Sequence, residues 1–509
     1  MKAFALAVLS GVLLALTFPR FNLEFLAWGA LIPLFFAIQG ASPLRASLSG
    51  FVSGFVFYLM DMTWVTNTLI NYGYLPTLAA WGVLLLLVTL MSFFPALFSY
   101  LVNRLGGGNP VSLFLLAPVI WTALEYLRSS HPRYGFSWLG LGYSQFQTLP
   151  VIQIAEFTGV YGVTALIVLV NAGMFALIHP EFAAHEQWQK YRMRIGGATA
   201  GVFIFCLVYG WLALADAPAP RGSGLKVGLV QGNIAQQMKW NPIYRTAILE
   251  RYRELTLKVV QDQPDLVVWP EAVTPFYFQH DAAGARFVVE GVRMTHTPLL
   301  FGSPHVETRG GQQVLLNSAF YLSREGIVKG RYDKIHLVPF GEFVPWRSLL
   351  FFIDKLVVGI GDFGRGTEAT VFQVNNFKFG VSICYEIIFP DLTRQAVKNG
   401  AQFLVNITND AWFGRSAASY QHMAMASLRA VENRVPIVRS ANTGISGAVD
   451  RFGRIHAATD IFQEAVVSTL IYPRTGEQTY YSRYGDVFSW LCLALSLLLP
   501  LGLRRMDAH

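Results

Sequence analysis

Long apolar runs recur through the first 215 residues and strongly restrict what this chain can fold into. Each run is close to the ~20 residues that an α-helix needs to cross the hydrocarbon core of a bilayer. We therefore predict a polytopic α-helical membrane bundle of about eight spans, the last of them near the C-terminal end. The predicted spans cover residues 3–19, 24–39, 47–68, 78–102, 110–127, 160–178, 196–215 and 486–503.

The composition supports a membrane protein and argues against a nucleic-acid-binding one. Hydrophobic residues make up 53% of the chain and charged residues only 14%, whereas soluble proteins average about 25% charged. The abundant Phe and Trp suit the aromatic belts at a bilayer surface. The net charge of +8 lies mostly in short loops between apolar runs, so we interpret it as a signal of membrane topology.

The distribution of Lys and Arg favours a cytoplasmic N-terminus. Lys2 precedes the first apolar run, but no small-residue cleavage site follows, so we expect an uncleaved helix. An odd number of spans before residue 215 then places the next segment outside the cytoplasm. The predicted inside loops and tail contain Arg45, Arg104, Lys190, Arg192, Arg194, Arg504 and Arg505, and the outside loops contain Arg20, Arg128 and Arg133.

The segment after the linker at 217–222 has a different character. Short β-rich runs alternate with polar amphipathic stretches, which is typical of an α/β domain. We predict a transmembrane bundle over 1–221, an extracytoplasmic catalytic domain over 222–478, and a final helix with a cytoplasmic tail over 479–509. Predicted strands cover 225–231, 265–269, 377–384, 402–407 and 436–440, and predicted helices lie near 243–261, 388–399 and 417–434.

Three residues of this domain could carry chemistry. Glu271 directly follows a buried strand, Lys334 lies among apolar and turn residues, and Cys384 ends an alternating strand. The carboxyl ends of strands are where α/β folds place their sites. Taken singly, each residue also fits a structural role, as a capping carboxylate, a lysine whose stem covers apolar surface, or a buried thiol.

The other cysteine and glycine patterns exclude several kinds of site. Cys206 and Cys492 lie inside apolar runs, and no CxxC pair or Cys/His cluster indicates a disulfide framework, a zinc site or any other metal. The GxGxxG pattern at 359–364 opens no helix, which argues against a dinucleotide site. For Cys384 we expect a thiolate favoured by the following helix N-terminus and a nearby lysine.

Taken together, the motifs resemble a known superfamily. WPE at 269–271, KIHLVPFGE at 334–342 and CYE at 384–386 resemble the glutamate, lysine and cysteine motifs of the carbon–nitrogen hydrolases, or nitrilases. The segments NDAWFG at 409–414 and NTGIS at 442–446 fit the same pattern. With QGNI at 231–234, KW at 239–240 and helices on both sides, the whole chain resembles the apolipoprotein N-acyltransferase family.

The resemblance implies an αββα sandwich and a two-step acyl transfer. Glu271 would act as general base, Cys384 would form a thioester with an acyl chain, and Lys334 with the Tyr385 N–H would hold the oxyanion. The expected donor is a phospholipid, with phosphatidylethanolamine as the specific expectation, and the acceptor is a diacylated apolipoprotein. No cofactor and no nucleic acid are expected. The expected location is the bacterial inner membrane, with the catalytic domain on the periplasmic side.

Further residues receive supporting roles. We expect Glu342, Tyr385, Glu386 and Asn317 to support the three catalytic side chains. Residues 341–366 are rich in apolar side chains, which beside a bilayer would form an arm that meets lipid. The residues expected to contact substrate are Trp240, Trp346, Phe351, Phe352 and Trp412.

Two other functions use the same residues differently. A membrane-tethered amidase would need the same three catalytic residues but neither a large bundle nor an apolar arm. A transporter or receptor carrying an inactive hydrolase-like domain would not need all three residues intact. It would also need more charges inside the helices than this sequence has. The sequence therefore favours the acyltransferase.

Overall fold

The chain divides into two compact units. The computed structural model describes residues 1–106, 109–131, 135–180, 186–215, 224–343 and 363–506. One unit comprises Met1–Thr66, Thr77–Ala217 and Tyr484–His509, and the other comprises Asn67–Pro76 and Pro218–Arg483. The first unit is helical, and the second contains the β-sheets.

Apolar helices build the first unit. Small residues let some of them approach closely, as bilayer helices often require. A Cβ atom at Gly50 would lie 2.2 Å from the carbonyl oxygen of Pro95. The α-helices that lie before residue 216 and at the C-terminal end are Lys2–Leu16, Ile32–Ile38, Pro43–Asp61, Trp64–Asn71, Thr77–Gly106, Pro110–Ser130, Leu149–Ile152, Ala155–Thr158, Val160–Ile178, Glu186–Ala215 and Val487–Met506.

The helical bundle is confirmed, but about eight spans is too many. Within the described ranges, four helices are long and apolar enough to cross a membrane, or up to five if one bent pair forms a single span. These four candidate membrane spans are Thr77–Gly106, Val111–Ser130, Val160–Ile178 and Tyr191–Ala215. The pair Pro43–Asp61 and Trp64–Asn71 is bent by 55°.

The first two predicted spans are shorter than a bilayer requires. Lys2–Leu16 has 15 residues, about 22 Å at the usual rise, against a core of ~30 Å. The run at 24–39 is divided between a 3-10 helix, Glu24–Trp28, and the short helix Ile32–Ile38. Arg128 also departs from its predicted outside loop, because it is buried in the last turn of Pro110–Ser130 and donates to Tyr58 Oη at 3.1 Å.

The second unit is an αββα sandwich, as predicted, and its described residues form two six-stranded sheets. Its strands in chain order are β1 Leu225–Gln231, β2 Leu266–Val268, β3 Leu299–Arg309, β4 Gln312–Leu322, β5 Val328–Asp333, β6 Val371–Val374, β7 Phe377–Ile383, β8 Phe403–Thr408, β9 Ile437–Ala441, β10 Gly447–Val449, β11 Ile455–His456 and β12 Ala465–Ile471. The strand orders are β12-β1-β2-β3-β4-β5 and β11-β10-β9-β8-β7-β6.

Each sheet has a parallel centre and antiparallel edges. Strands β1, β2 and β3 run parallel in the first sheet, and β7, β8 and β9 run parallel in the second. The sheets face each other, and Ser440 Oγ on β9 lies 3.1 Å from the carbonyl oxygens of both Val230 and Val268. This stacking brings the carboxyl ends of strands from both sheets toward one region.

Helices cover the outer faces of the sandwich. The helices are Arg245–Val259, Ala282–Thr295, Pro390–Lys398 and Ala418–Asn433, with Tyr480–Tyr484 at the end of the unit. Tyr252, a buried residue of the first of these helices, packs against Trp269 in the core, with ring centroids 5.2 Å apart. The strands and helices predicted here lie within two residues of their observed bounds, because their apolar periodicities are strong.

Candidate active site

Cys384 lies where β7 ends and a 3-10 helix, Cys384–Ile388, begins. Its backbone φ is +55°, in the left-handed region. A side chain with a Cβ pays roughly 1–3 kcal/mol for such a conformation unless its surroundings impose it. The residue is only 7% exposed. A strained, buried backbone position is common at functional sites.

Glu271 follows β2 after a Trp-Pro pair and is 6% exposed. Its Oε1 accepts a hydrogen bond from Asn317 Nδ2 at 2.8 Å, and its Oε2 accepts from the backbone N–H of Asn409 at 2.9 Å. The strand beside it has Gly302 at the point of contact, where a Cβ would lie 2.7 Å from the Glu271 Cα. A glycine is required there because the backbone of Glu271 fills the space.

Lys334 follows β5 and is 1% exposed. Its Nζ lies 2.9 Å from Glu342 Oε1 and 3.7 Å from Glu271 Oε1. Burial alone would lower the pKa of Lys334, but the charges of Glu342 and Glu271 outweigh it and hold the pKa above its usual value. The side chain is therefore a fixed ammonium at neutral pH.

Asn317 and Glu342 were both predicted to support the site. Around the Lys334 ammonium, Asn317 connects the carboxylate of Glu342 to that of Glu271. Asn317 Nδ2 donates to Glu342 Oε1 at 3.0 Å as well as to Glu271. Glu342 Oε2 accepts from the N–H of Val338 at 2.8 Å. Both glutamates are thus oriented by neutral donors in addition to the charge of Lys334.

Glu386 ties the lysine segment to the cysteine segment. The side chain is fully buried and accepts hydrogen bonds on both oxygens. Oε1 accepts from the N–H groups of Ile335 and His336 at 2.7 and 3.0 Å. Oε2 accepts from the N–H of Ile383 at 2.7 Å and from Tyr332 Oη at 2.8 Å. Glu386 therefore fixes the spacing between the residues that flank Lys334 and Cys384.

The expected stabilised thiolate is not what this geometry favours. Burial is the largest influence on the Cys384 thiol, and with the adjacent charge of Glu271 it raises the thiol pKa well above its ordinary value. The ammonium of Lys334 lowers the pKa but does not compensate. The resting thiol is therefore protonated, and attack requires a base to accept its proton. Glu271 has the chemistry for that role.

The predicted substrate-contact residues fall into three groups. Trp240 is 52% exposed on the segment after the buried Lys239. Trp412 is half-buried in the turn Asp410–Phe413, and its ring meets that of Tyr72 edge to face, with centroids 4.9 Å apart. Trp346, Phe351 and Phe352 lie outside the described residues, so their contacts with lipid stay a prediction.

The turn that carries Trp412 is secured by a sequence-distant segment of the same unit, Asn67–Pro76. Asn67 Nδ2 and Thr68 Oγ1 donate to the carbonyl oxygen of Trp412 at 3.1 and 2.9 Å. Tyr72 Oη donates to the carbonyl oxygen of Ala411 at 3.0 Å. This support was invisible in the sequence, because it joins residues more than three hundred positions apart.

Sequence reasoning also missed two groups that hold Glu271. Lys239 is buried, and its Nζ donates to the backbone carbonyl of Glu271 at 2.9 Å. Burial lowers the pKa of Lys239 to about 8, although Glu271 and Cys384 act to raise it. The second group is the backbone N–H of Asn409. Both groups lie in motifs that the sequence analysis noted, Lys239 in KW and Asn409 in NDAWFG. The sequence alone does not show that a backbone N–H there donates to Glu271.

Comparisons with known proteins agree with this architecture. Residues 10–173 match the apolipoprotein N-acyltransferase N-terminal domain family, and residues 226–481 match the carbon-nitrogen hydrolase family. An apolipoprotein N-acyltransferase of Geobacter metallireducens is 44% identical, with 100% of this chain and 96% of the relative covered. The enzyme of the same name from Methylococcus capsulatus is 34% identical, with 96% and 93% covered.

Solved structures of the nitrilase superfamily match about half of the chain. A mutant amidase from Nesterenkonia AN1 is 17% identical, with a TM-score of 0.39, and the match covers 50% of this chain and 94% of that one. Nit3 of Saccharomyces cerevisiae is 20% identical, with a TM-score of 0.39 and 53% and 97% covered.

The raised pKa of the Cys384 thiol predicts an unusual pH dependence of its alkylation. In a Cys206→Ser/Cys492→Ser background, iodoacetamide should react with Cys384 at a rate still rising at pH 9, because the thiolate forms only above the ordinary thiol range. Glu271→Gln removes a charge that raises the pKa, so its profile should shift to lower pH. Lys334→Ala should shift the profile the other way.

The measurement is the alkylation rate against pH, followed by mass spectrometry of the Cys384 peptide. A wild-type profile that levels off below pH 8 would contradict the protonated resting thiol. Identical profiles in the wild type and Glu271→Gln would show that this carboxylate does not act on the thiol.

Proposed function

The chain belongs to the apolipoprotein N-acyltransferase family, and on that premise we propose how its residues move an acyl chain from a lipid to a protein amine. It is a membrane-bound acyltransferase of the carbon-nitrogen hydrolase superfamily, with lipid and lipoprotein substrates. The observation that carries the mechanism is the buried cluster in which Glu271 and Lys334 approach each other beside Cys384.

In the first half-reaction, Glu271 accepts the proton of the Cys384 thiol as the sulfur attacks the ester carbonyl carbon of a phospholipid. The sulfur–carbon bond forms, and the carbonyl oxygen becomes an oxyanion stabilised by the Lys334 ammonium and the N–H of Tyr385. The ester carbon–oxygen bond then breaks. The departing oxygen takes the proton from Glu271 and leaves as lysophospholipid, with the acyl chain on sulfur.

In the second half-reaction, the α-amine of a diacylglyceryl-cysteine attacks the thioester. The new carbon–nitrogen bond forms, the carbon–sulfur bond breaks, and the amine proton passes through Glu271 back to sulfur. The same oxyanion contacts serve both steps. Because the acyl chain waits on the enzyme, the two lipid substrates need not occupy the site together.

The ammonium of Lys334 suits this chemistry because its charge does not depend on the pH of the reaction. Its raised pKa keeps it protonated, so positive charge already stands where negative charge develops. Preorganised charge in a buried site stabilises a transition state more than the same charge in water. Glu342 and Asn317 hold the ammonium and the base in place before substrate arrives.

Family membership alone does not specify the acyl donor or the membrane in which the protein lies, so we propose both. We propose phosphatidylethanolamine as the acyl donor, and the bacterial inner membrane as the site, with the catalytic unit on the periplasmic side. The bias of Lys and Arg toward the predicted inside loops supports that orientation. Labelling of an introduced surface cysteine by an impermeant reagent on intact spheroplasts tests it, and protection from the reagent would contradict it.

The amidase alternative is not favoured. The chain matches apolipoprotein N-acyltransferases along its whole length, including an N-terminal helical region that is larger than the tether of a membrane-tethered amidase would need to be. An amidase would also hydrolyse its thioester with water, whereas this chemistry requires an amine acceptor. The two hypotheses are distinguished by supplying donor lipid with and without a diacylated lipopeptide. An amidase would release the acyl chain to water in both cases, whereas the acyltransferase needs the lipopeptide amine as acceptor.

Substitutions at the three proposed catalytic residues should lower acyl transfer by different amounts. Cys384→Ala should abolish transfer, and Glu271→Gln and Lys334→Ala should each lower its rate by at least ~100-fold. Lys334→Arg should restore only part of the loss, because a planar guanidinium does not replace a compact ammonium. Transfer is measured from phosphatidylethanolamine to a diacylated lipopeptide by mass spectrometry.

The matched control is Cys492→Ser, which removes another buried thiol from the final helix of the chain. It should transfer acyl chains at nearly the wild-type rate. Near-normal transfer by Cys384→Ala would exclude Cys384 as the nucleophile, and an equal loss in the control would show that the loss of transfer is not specific to Cys384.

We propose that Trp346, Phe351 and Phe352 contact the acyl chain or the bilayer. The reason is that they lie in an apolar stretch that follows Lys334 in the sequence. Each aromatic could contribute ~1.5–3 kcal/mol of apolar burial. Phe351→Ser/Phe352→Ser should therefore slow acylation by a long-chain phospholipid more than tenfold but leave a short-chain activated ester much less affected. An equal loss with both donors would show damaged chemistry instead of lost lipid contact.

A further inference from the structure

A fully buried polar cluster lies behind the nucleophile and takes no part in the reaction described above. Its members are His422, Asp410, Arg439 and Asn406, each with 0% of its surface exposed. His422 belongs to the helix Ala418–Asn433, Asn406 to β8 and Arg439 to β9. Buried polar groups are costly unless they are paired, so what this cluster pairs with is informative.

The cluster ends on the backbone carbonyl of Cys384. His422 Nε2 lies 3.2 Å from that oxygen, and Asn406 Nδ2 lies 3.4 Å from it. Asn406 Nδ2 also donates to Ser382 Oγ at 3.0 Å. Two side chains from different elements thus converge on one carbonyl in the strained backbone of the nucleophile.

Arg439 determines how both donors are oriented. Its Nη2 lies 2.7 Å from Asp410 Oδ2 and 2.9 Å from His422 Nδ1, and its Nη1 donates to Asn406 Oδ1. His422 Nδ1 also lies 3.3 Å from Asp410 Oδ1. The closer contact at Nδ1 is the guanidinium, which has only donors, and Nε2 faces the Cys384 carbonyl, which can only accept, so both contacts place the ring proton on Nε2. For the same reason the amide oxygen of Asn406 faces Arg439, which turns its nitrogen toward Cys384.

The protonation states agree with this assignment. Burial, and then the charge of Arg439, lower the pKa of His422, so the ring is neutral. Burial would raise the pKa of Asp410, but Arg439 and His422 outweigh it and leave the carboxyl ionised. The ion pair of Arg439 with Asp410 therefore balances its own charge inside the domain.

The peptide that follows Cys384 carries two groups with opposite directions. A trans peptide is planar, so the carbonyl of Cys384 and the N–H of Tyr385 lie in one plane and point in opposite directions. Fixing the carbonyl therefore fixes the direction of the N–H. Hydrogen bonds to the carbonyl also polarise the peptide and strengthen the N–H as a donor.

We propose that His422 is a positioning residue that aims the Tyr385 N–H at the oxyanion, with Arg439 fixing its tautomer and Asn406 sharing the carbonyl. This proposal rests on the function proposed above, in which that N–H stabilises the oxyanion. It assigns to the buried cluster a task in transition-state stabilisation that is separate from the placement of the thiol.

The two tasks are separated by reactions that differ in their need for an oxyanion. Acylation of Cys384 by p-nitrophenyl butyrate passes through a tetrahedral oxyanion, whereas alkylation by iodoacetamide displaces iodide and forms none. His422→Leu should lower the acylation kcat by about tenfold or more with little change in KM, because the lost interaction strengthens only in the transition state. Its alkylation rate should stay within about twofold of wild type.

A conservative variant provides the rescue. The amide nitrogen of glutamine can donate to a carbonyl as Nε2 of histidine does, so His422→Gln should recover most of the acylation rate. Ser427→Ala is the matched control, because Ser427 is fully buried in the same helix and donates to the carbonyl of Gly453 at 2.8 Å, away from the nucleophile. It should lower thermal stability without slowing acylation.

Other outcomes overturn the proposal. Wild-type acylation by His422→Leu would show that the contact does nothing for the oxyanion. A parallel loss of alkylation and acylation would assign the cluster to thiol placement or folding alone. If His422→Leu does not fold, a folded His422→Gln that acylates tenfold more slowly is enough to reject the donor role. A wild-type enzyme that reacts with the ester but never with phospholipid would instead contradict the proposed function.

Discussion

The buried ammonium of Lys334 is the charge around which the proposed catalytic site is organised. Removing an ion from water costs several kcal/mol even after the protein relaxes, unless opposite charges and hydrogen bonds replace the lost solvation. Here Glu342 lies 2.9 Å from the ammonium, and Glu271 lies 3.7 Å away. Asn317 joins the two carboxylates, so neither can turn away. The proposed base is therefore held by the same contacts that allow the lysine to be buried.

The proposed nucleophile, Cys384, is held in its neutral form, whereas Lys334 is held charged. Burial and the charge of Glu271 raise the pKa of the Cys384 thiol, so the site stores no thiolate. A neutral thiol beside a carboxylate and a fixed ammonium suits a reaction that releases negative charge only when a carbonyl is in place. Such a site also protects the thiol from side reactions between turnovers, since the thiolate is the reactive form.

Sequence reasoning identified the candidate catalytic residues but missed the groups that hold them in place. Glu271 and Cys384 were predicted because the first follows a buried strand and the second ends an alternating strand, and strand ends are where such folds place their sites. The supports of Glu271, namely the Lys239 ammonium and the Asn409 N–H, approach from segments distant in sequence. His422 and Arg439 carry no local signal, since a histidine or arginine on an apolar face has no visible partner until the fold is known. The number of spans was overestimated because apolar content was counted without the breaks that shorten helices, as at 24–39.

The central claim is that the acyl chain rests on Cys384 between donor and acceptor. The direct measurement incubates the purified protein with phosphatidylethanolamine carrying an isotope-labelled acyl chain, then digests it and identifies acylated peptides by mass spectrometry. The account predicts the labelled acyl mass on the Cys384 peptide and its loss when a diacylated lipopeptide is added, with the label appearing on the lipopeptide amine. An unmodified Cys384 during active transfer, or an adduct that water removes as fast as the lipopeptide does, would contradict it.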